Sequence, residues 1–305
     1  MKSIDELRSA MSNIRQGAMN FTIHLGLDKG NGIEYHQANL DNKTTAKIAA
    51  EFLAPLANWF ENQDLAVVPL SGVDQREDAL YYYDLAVVPE GFNAIAAALP
   101  DSQPLFSFDG HSLSDIKSIV IKAAIVGQAF LFFKHVYPVS LVRRSNILMM
   151  KVGDRLEHLD NDVLKLTSGF DVLFYDGGYY INGFKKFEKA FKFDAIEAKL
   201  RDEATAKIFA LNICEDLQAH LANGVAPARD YIRVAKSDVL NLPVTTILEH
   251  AANLEGKTGL KIINGKIQLT SKKSVKVFMK MLNDDYLRSE LTNYDYDTLA
   301  KNKLV

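Results

Sequence analysis

The sequence predicts a mixed α+β fold: a largely antiparallel sheet built from hairpins, with helices packed against it, in two subdomains. Three observations point there. Short strand-like runs punctuated by turn residues succeed one another over 145–182 ("SNILMMKV", "DRLEHLDNDVLKL", "FDVLFYDGGYYIN"), a pattern of hairpins and hence antiparallel pairing. "KIINGKIQL" carries Asn264-Gly265, which suits a type I′ turn because both central residues need positive φ. Segments with apolar residues at helical spacing, such as "KTTAKIAAEFLAPLANWFENQ", lie among them.

In chain order, residues 3–18 read as a helix, "NFTIHLGL" as a strand, "DKGNG" as a turn and "IEYHQANL" as a second strand. The next helix contains Pro55, which kinks or ends it. "DLAVVPL" (64–70) and "DLAVVPE" (84–90) read as short buried strands closed by proline. A stretch rich in Pro, Ser, Asp and Gly over 97–115 sets the expected boundary between an N-terminal subdomain, 1–110, and a C-terminal domain, 111–305. A helix near 113–126 and a strand in "AFLFFKHVYPVSLV" come next, and then the hairpin segments. Residues 184–223 read as mostly helical, capped by Gly224. "SDVLNLPVTTILEHAANL" gives a helix pair, succeeded by the Asn-Gly hairpin, a lysine-rich helix over 272–283 and a polar, partly helical tail.

Composition narrows the function classes. The 305 residues are 48% hydrophobic, enough for one large core or two ordinary ones. A net charge of −3 selects no partner. The single cysteine, Cys214, forbids an internal disulfide and fits a reducing cytoplasm. "MKSIDELRSAMSNI" is polar and periodic, unlike a signal peptide. The most apolar stretch, 119–142, is interrupted by Lys122 and Lys134, which bracket eleven uncharged residues where a bilayer span needs about 20. The expectation is a cytoplasmic chain that reaches a membrane only through a partner.

Charge is unevenly distributed. Residues 61–110 hold nine acidic residues and one basic residue, whereas residues 256–305 hold ten Lys/Arg against five Asp/Glu. A basic C-terminal face suits nucleic acid or another acidic surface. No P-loop, GxGxxG, GxSxG or HExxH motif is present, so no cofactor or metal is expected. Cys214 sits at helical spacing in "FALNICEDL" and reads as a buried thiol. Two Glu-x-Lys triplets, Glu197 to Lys199 (after Asp194) and Glu255 to Lys257, keep a metal-dependent nuclease open as an alternative.

The strongest chemical pattern is a doubled one. On a helical wheel Phe184, Phe187 and Phe191 share one side, and Lys185, Lys186, Lys189 and Lys192 occupy the other. Lys272, Lys273, Lys276 and Lys280 fall in one narrow arc, away from Val275, Phe278, Met281 and Leu282. Both helices carry Lys-Lys-x-x-Lys-x-Phe and both come after a hairpin. Such faces are candidate phosphate contacts, extended by Lys134, Arg143 and Arg144 on nearby strands, with no base-reading signature. A solvated surface, or a module that docks on acidic protein or lipid, uses the same residues.

The segment "YINGFKKFEKAF" resembles the Ile-x-Asn-x-x-x-Phe-Glu-x-x-Phe pattern of a bacterial family that includes the B component of the Kiwa anti-phage defence system. The pattern falls on Ile181, Asn182, Phe187, Glu188 and Phe191. Phe132, Phe133 and Lys134 resemble the family's Phe-Phe-basic strand, and Leu282–Leu287, Leu291-Thr292, Tyr296 and Lys301 its C-terminal ending. The resemblance covers roughly residues 110–305. It implies an anti-phage effector that binds phage DNA, acts with a membrane-spanning A component and forms a homodimer. It assigns no catalytic residue.

Overall fold

The computed structural model describes residues 1–15, 20–30, 32–72, 78–96, 103–125, 128–142, 149–158, 162–215 and 228–298. The chain divides into two compact units, one of Met1–Val68 with Arg76–Phe191, the other of Pro69–Gln75 with Lys192–Val305.

In the first unit α1 (Ile4–Ala10) starts at a capping box: the Ser3 hydroxyl accepts from the Glu6 amide and the Glu6 carboxylate from the Ser3 amide. A short α2 (Ser12–Arg15) leads to β1 (Asn20–Asp28) and β2 (Ile33–Gln37). Asp41 caps α3 (Asn42–Leu53), and Pro55 opens α4 (Pro55–Glu61), so the proline ends one helix and begins the next. Then come β3 (Ala66–Pro69), β4 (Ala79–Tyr82), α5 (Glu90–Ala96), β5 (Ile116–Ile125) and β6 (Gln128–His135). After them lie β7 (Leu141–Val142), β8 (Met149–Val152), β9 (Arg155–His158), β10 (Val163–Leu164), β11 (Val172–Tyr175), β12 (Gly178–Ile181) and α6 (Phe184–Ala190).

Eight of these strands form one sheet in the order β2-β1-β5-β6-β11-β12-β4-β3, and the ladders from β2 to β4 are antiparallel. This is the α+β architecture expected. Residues 103–115 connect within the first unit, because β1 before them pairs with β5 after them. The sheet is covered on both faces. Leu7, Met11, Phe52, Leu56 and Trp59 from the N-terminal helices pack on one side with Ile23, Ile119, Ile121, Phe132 and Leu173. On the other, Phe92 of α5 and Phe187 of α6 meet at 5.7 Å, and Phe92 stacks on Tyr179 at 4.1 Å. Successive residues of a strand serve opposite layers. Phe132 meets Phe170 at 5.1 Å, and its neighbour Phe133 meets Phe191 at 5.1 Å.

Burial on both faces explains one departure from the sequence reading. The helix expected near 113–126 is instead β5, whose Ile116, Ile119, Val120 and Ile121 are all buried. A strand buried on both faces shows a continuous apolar run, not alternation, and short runs of that kind do not distinguish helix from strand. Residues 84–90 form no strand. The strand lies earlier, at β4, and the Tyr83 hydroxyl donates to the Val87 carbonyl, closing a bend before Pro89.

The second unit holds α7 (Phe193–Leu211), β13 (Cys214–Glu215), α8 (Ala228–Ala235), α9 (Val244–Thr258), β14 (Ile262–Ile263), β15 (Lys266–Gln268), α10 (Lys272–Leu282), β16 (Tyr286–Arg288) and β17 (Asp295–Asp297). Its core gathers Ala204, Ile208, Tyr231, Ile247, Leu254, Ile267 and Phe278. Asn264 and Gly265 take φ of 53° and 73° and turn β14 into β15. The helix expected over 184–223 is broken twice: Lys192 between α6 and α7, and Asn212 after α7, are both left-handed. Gly224 lies outside the described residues. The tail, expected to be partly helical, forms the antiparallel pair β16–β17 up to its last described residues.

Replacing Phe187, which is fully buried, by Ala removes a ring packed against Tyr83, Phe92 and Phe191. Phe187→Ala is expected to lower stability by about 3–5 kcal/mol, read as a lower urea midpoint. Phe184→Ala, at a half-buried position, should cost clearly less.

Candidate nucleic-acid interface

α6 is positioned from below. The β11–β12 hairpin turns at Asp176-Gly177, with φ of 48° and 72°, and delivers the chain to Gly183 at φ 156°, a conformation glycine adopts without strain. Asn182 fixes the approach: its side-chain oxygen accepts from the Trp59 indole at 3.1 Å and its amide donates to the Phe170 carbonyl at 3.2 Å. Phe187 and Phe191 then lock one side of α6 onto the sheet, closely enough that a Cβ at Gly91 would lie 2.7 Å from the Phe191 ring. Lys185, Lys186 and Lys189 remain exposed on the other side. The phenylalanines are therefore core anchors, as the wheel places them. Lys192 is exposed but leaves the strip: α6 ends at Ala190, and the left-handed Lys192 begins the second unit.

Lys134 is a buried residue, 7% exposed, and not a surface cation. Its ammonium donates to the carbonyls of Ser168 at 3.0 Å and Gly169 at 2.7 Å and lies over the Phe52 ring at 5.5 Å. Burial lowers its pKa most, the Asp171 carboxylate opposes that, and nearby Lys186 lowers it further. Around it a pocket of about 60 Å³ is lined by His135, Tyr137, Lys165, Asp171 and Lys186. Burial likewise depresses the His135 imidazole, which favours its neutral form. Asp171 accepts from the His135 amide at 2.9 Å, pinning the strand end. Sequence reasoning missed Lys165 and Asp171, since neither lies in a charge run. Arg143 and Arg144 lie outside the described residues.

α10 repeats the arrangement in the second unit. Ser271 caps it, accepting from the Ser274 amide at 3.2 Å. Val275, Phe278, Met279, Met281 and Leu282 are buried, and Lys272, Lys273 and Lys276 are exposed. Lys280 is held internally, with its ammonium 2.5 Å from the Asp297 carboxylate of β17. Lys257 grips Asp295 of the same strand at 2.5 Å and holds that carboxyl below its usual range. Beneath, burial raises the Asp230 carboxyl, an effect countered by Arg233, Lys276 and Lys280. Lys276 and Lys280 thus have carboxylates close by, whereas Lys186 shares a pocket with two further lysines, Lys134 and Lys165, and one carboxylate, Asp171.

Cys214 sits in β13, not in a helix, and burial pushes its thiol up to about 12. Glu255 accepts from the Ile262 amide at 3.3 Å, and Glu197 is half-buried in α7. Among the described residues no three His, Cys, Asp or Glu side chains converge as a metal site would require. No helix among them is long and apolar enough to cross a membrane.

Comparison with known proteins identifies the family. The family described as Kiwa protein KwaB-like matches residues 113–292. The chain belongs to that family. Kiwa protein KwaB of Escherichia coli O55:H7 (strain RM12579 / EPEC) is 28% identical over 292 residues, covering 89% of this chain and 90% of that protein. No solved structure matches. The likeness extends into the N-terminal third, beyond the part that carries the sequence motifs. In this KwaB-like chain the motif residues are framework: Asn182 ties the hairpin to Trp59, Phe187 and Phe191 anchor α6, and Lys134 is held inside.

Lys134→Met should destabilise by about 1–3 kcal/mol, because the buried Gly169 carbonyl and the part-buried Ser168 carbonyl lose their donor. Lys185→Met at an exposed site should stay within about 0.5 kcal/mol of the parent. Chemical denaturation separates the two. Cys214 should react with a disulfide reagent at pH 8 far more slowly in the native protein than after unfolding, since the thiolate is the attacking species.

Proposed function

We propose that this KwaB-like protein serves anti-phage defence by binding DNA through its phosphate backbone, with little sequence preference. Family membership supports the defence role. The observation that carries the DNA reading is α6: Lys185, Lys186 and Lys189 stand exposed on a helix whose opposite side is locked by aromatic packing. A rigid mount lets several cations meet phosphates in register, each adding a salt-dependent increment. Lys272, Lys273 and Lys276 on α10 form a second, weaker strip, weakened by the carboxylates close to its Lys276 end. Point charges of this kind orient a duplex without reading bases. A cytoplasmic location, a homodimer and a membrane-spanning partner complete the proposal, on the strength of the resemblance alone.

The test is duplex titration at several salt concentrations. Lys185→Glu/Lys189→Glu should weaken binding uniformly across sequences and flatten the log K against log salt slope by about 2, at about 0.9 per lost phosphate contact. Lys272→Glu/Lys276→Glu should have the smaller effect. Unchanged affinity and slope in the first variant would remove α6 from the interface. Magnesium-dependent degradation of the same duplex, lost on Glu197→Gln or Glu255→Gln, would replace this reading with a nuclease.

A further inference from the structure

The first unit contains a cleft that DNA binding does not use. It has a volume of about 420 Å³ and is walled by Ile23 and Leu25 of β1, Ile48 of α3, Phe106, Leu164 and Leu166. The size lies within the roughly 300–1,000 Å³ of small-molecule sites, which are mostly apolar with a few converging polar groups. Its rim exposes apolar surface that the fold leaves to water: Phe108 is 67% exposed and Leu40 37%.

The lysine pocket next to the cleft identifies its occupant. Leu25, Ile119 and Lys134 lie directly opposite one another in β1, β5 and β6, so one row of side chains crosses from apolar to cationic. Ile119 and Leu166 line both the cleft and the pocket of Lys134, Lys165 and Lys186. That pocket carries three ammonium groups against the single carboxylate of Asp171, and its volume of about 60 Å³ suits a small head group. A neutral hydrophobe would leave the cations uncompensated. An inorganic anion would leave the cleft empty, and a nucleic acid has no apolar tail to fill it.

We propose that the cleft and the adjoining lysine pocket form one binding site for a single-chain anionic amphiphile, a long-chain alkyl carboxylate, with the chain in the cleft and the carboxylate between Lys134, Lys165 and Lys186. Lys134, held by two carbonyls, presents a fixed charge at the inner end. Lys165, which is exposed, closes over the head from outside. The site stands independently of DNA binding, although Lys186 is common to both.

Calorimetric titration of the full chain with dodecanoate, dodecanol and acetate tests this. Dodecanoate should bind, dodecanol about tenfold or more weakly, and acetate not at the same concentrations, since the charge-assisted contacts and the buried chain are both required. Lys165→Glu should weaken dodecanoate about tenfold and leave dodecanol unchanged. Ala38→Phe, which puts a ring into the cleft wall, should weaken both ligands while the circular dichroism and melting of the protein are retained. Equal binding of dodecanoate and dodecanol, no effect of Lys165→Glu, or no binding of dodecanoate would each overturn the proposal.

Discussion

The first unit depends on one constraint: its central strands must be apolar on both faces, because helices cover the sheet from both sides. β5 and β6 satisfy it with Ile119, Val120, Ile121, Phe130, Leu131, Phe132 and Phe133, all buried. Each such side chain contributes about 1.5–3 kcal/mol on burial. The same constraint sets the flanking elements. The N-terminal helices exist to cover one layer and α5 with α6 the other, and α6 can be short because three aromatic rings hold it.

That arrangement also decides which cations are free to act. A helix clamped by Phe187 and Phe191 must turn Lys185, Lys186 and Lys189 outward. A lysine at the end of β6 has no such exit. Lys134 sits where the sheet meets α3, so it bonds backbone carbonyls and shapes a pocket instead of meeting solvent. In the second unit the hairpin β16–β17 acts similarly on Lys257 and Lys280, which it neutralises with Asp295 and Asp297.

Much of this was legible in the sequence because turns and amphipathic helices are local. Asn264-Gly265, Asp176-Gly177, Pro55 and the phenylalanine side of α6 all announce themselves within a few residues. What was not legible depends on partners distant in the chain. Whether 113–126 is helix or strand is decided by pairing with β1 and β6. Whether Lys134 is surface or core is decided by Phe52 and the Ser168-Gly169 backbone. The lysine pocket could not be read at all, since Lys134, Lys165 and Lys186 belong to separate segments. The fate of Lys280 turned on Asp297, in a tail that read only as polar and partly helical.

The adjacency of Phe132 and Phe133, one facing each layer, makes β6 intolerant of any change in length. Inserting or deleting a single residue there would exchange the two layers along the rest of the strand, bringing Lys134 to the aromatic side and His135 under Phe52. Point substitutions in β6 can be graded and survivable, but indels cannot. Among relatives of this chain, length variation should therefore collect in the connections between strands, while the spacing from Phe130 to His135 stays constant.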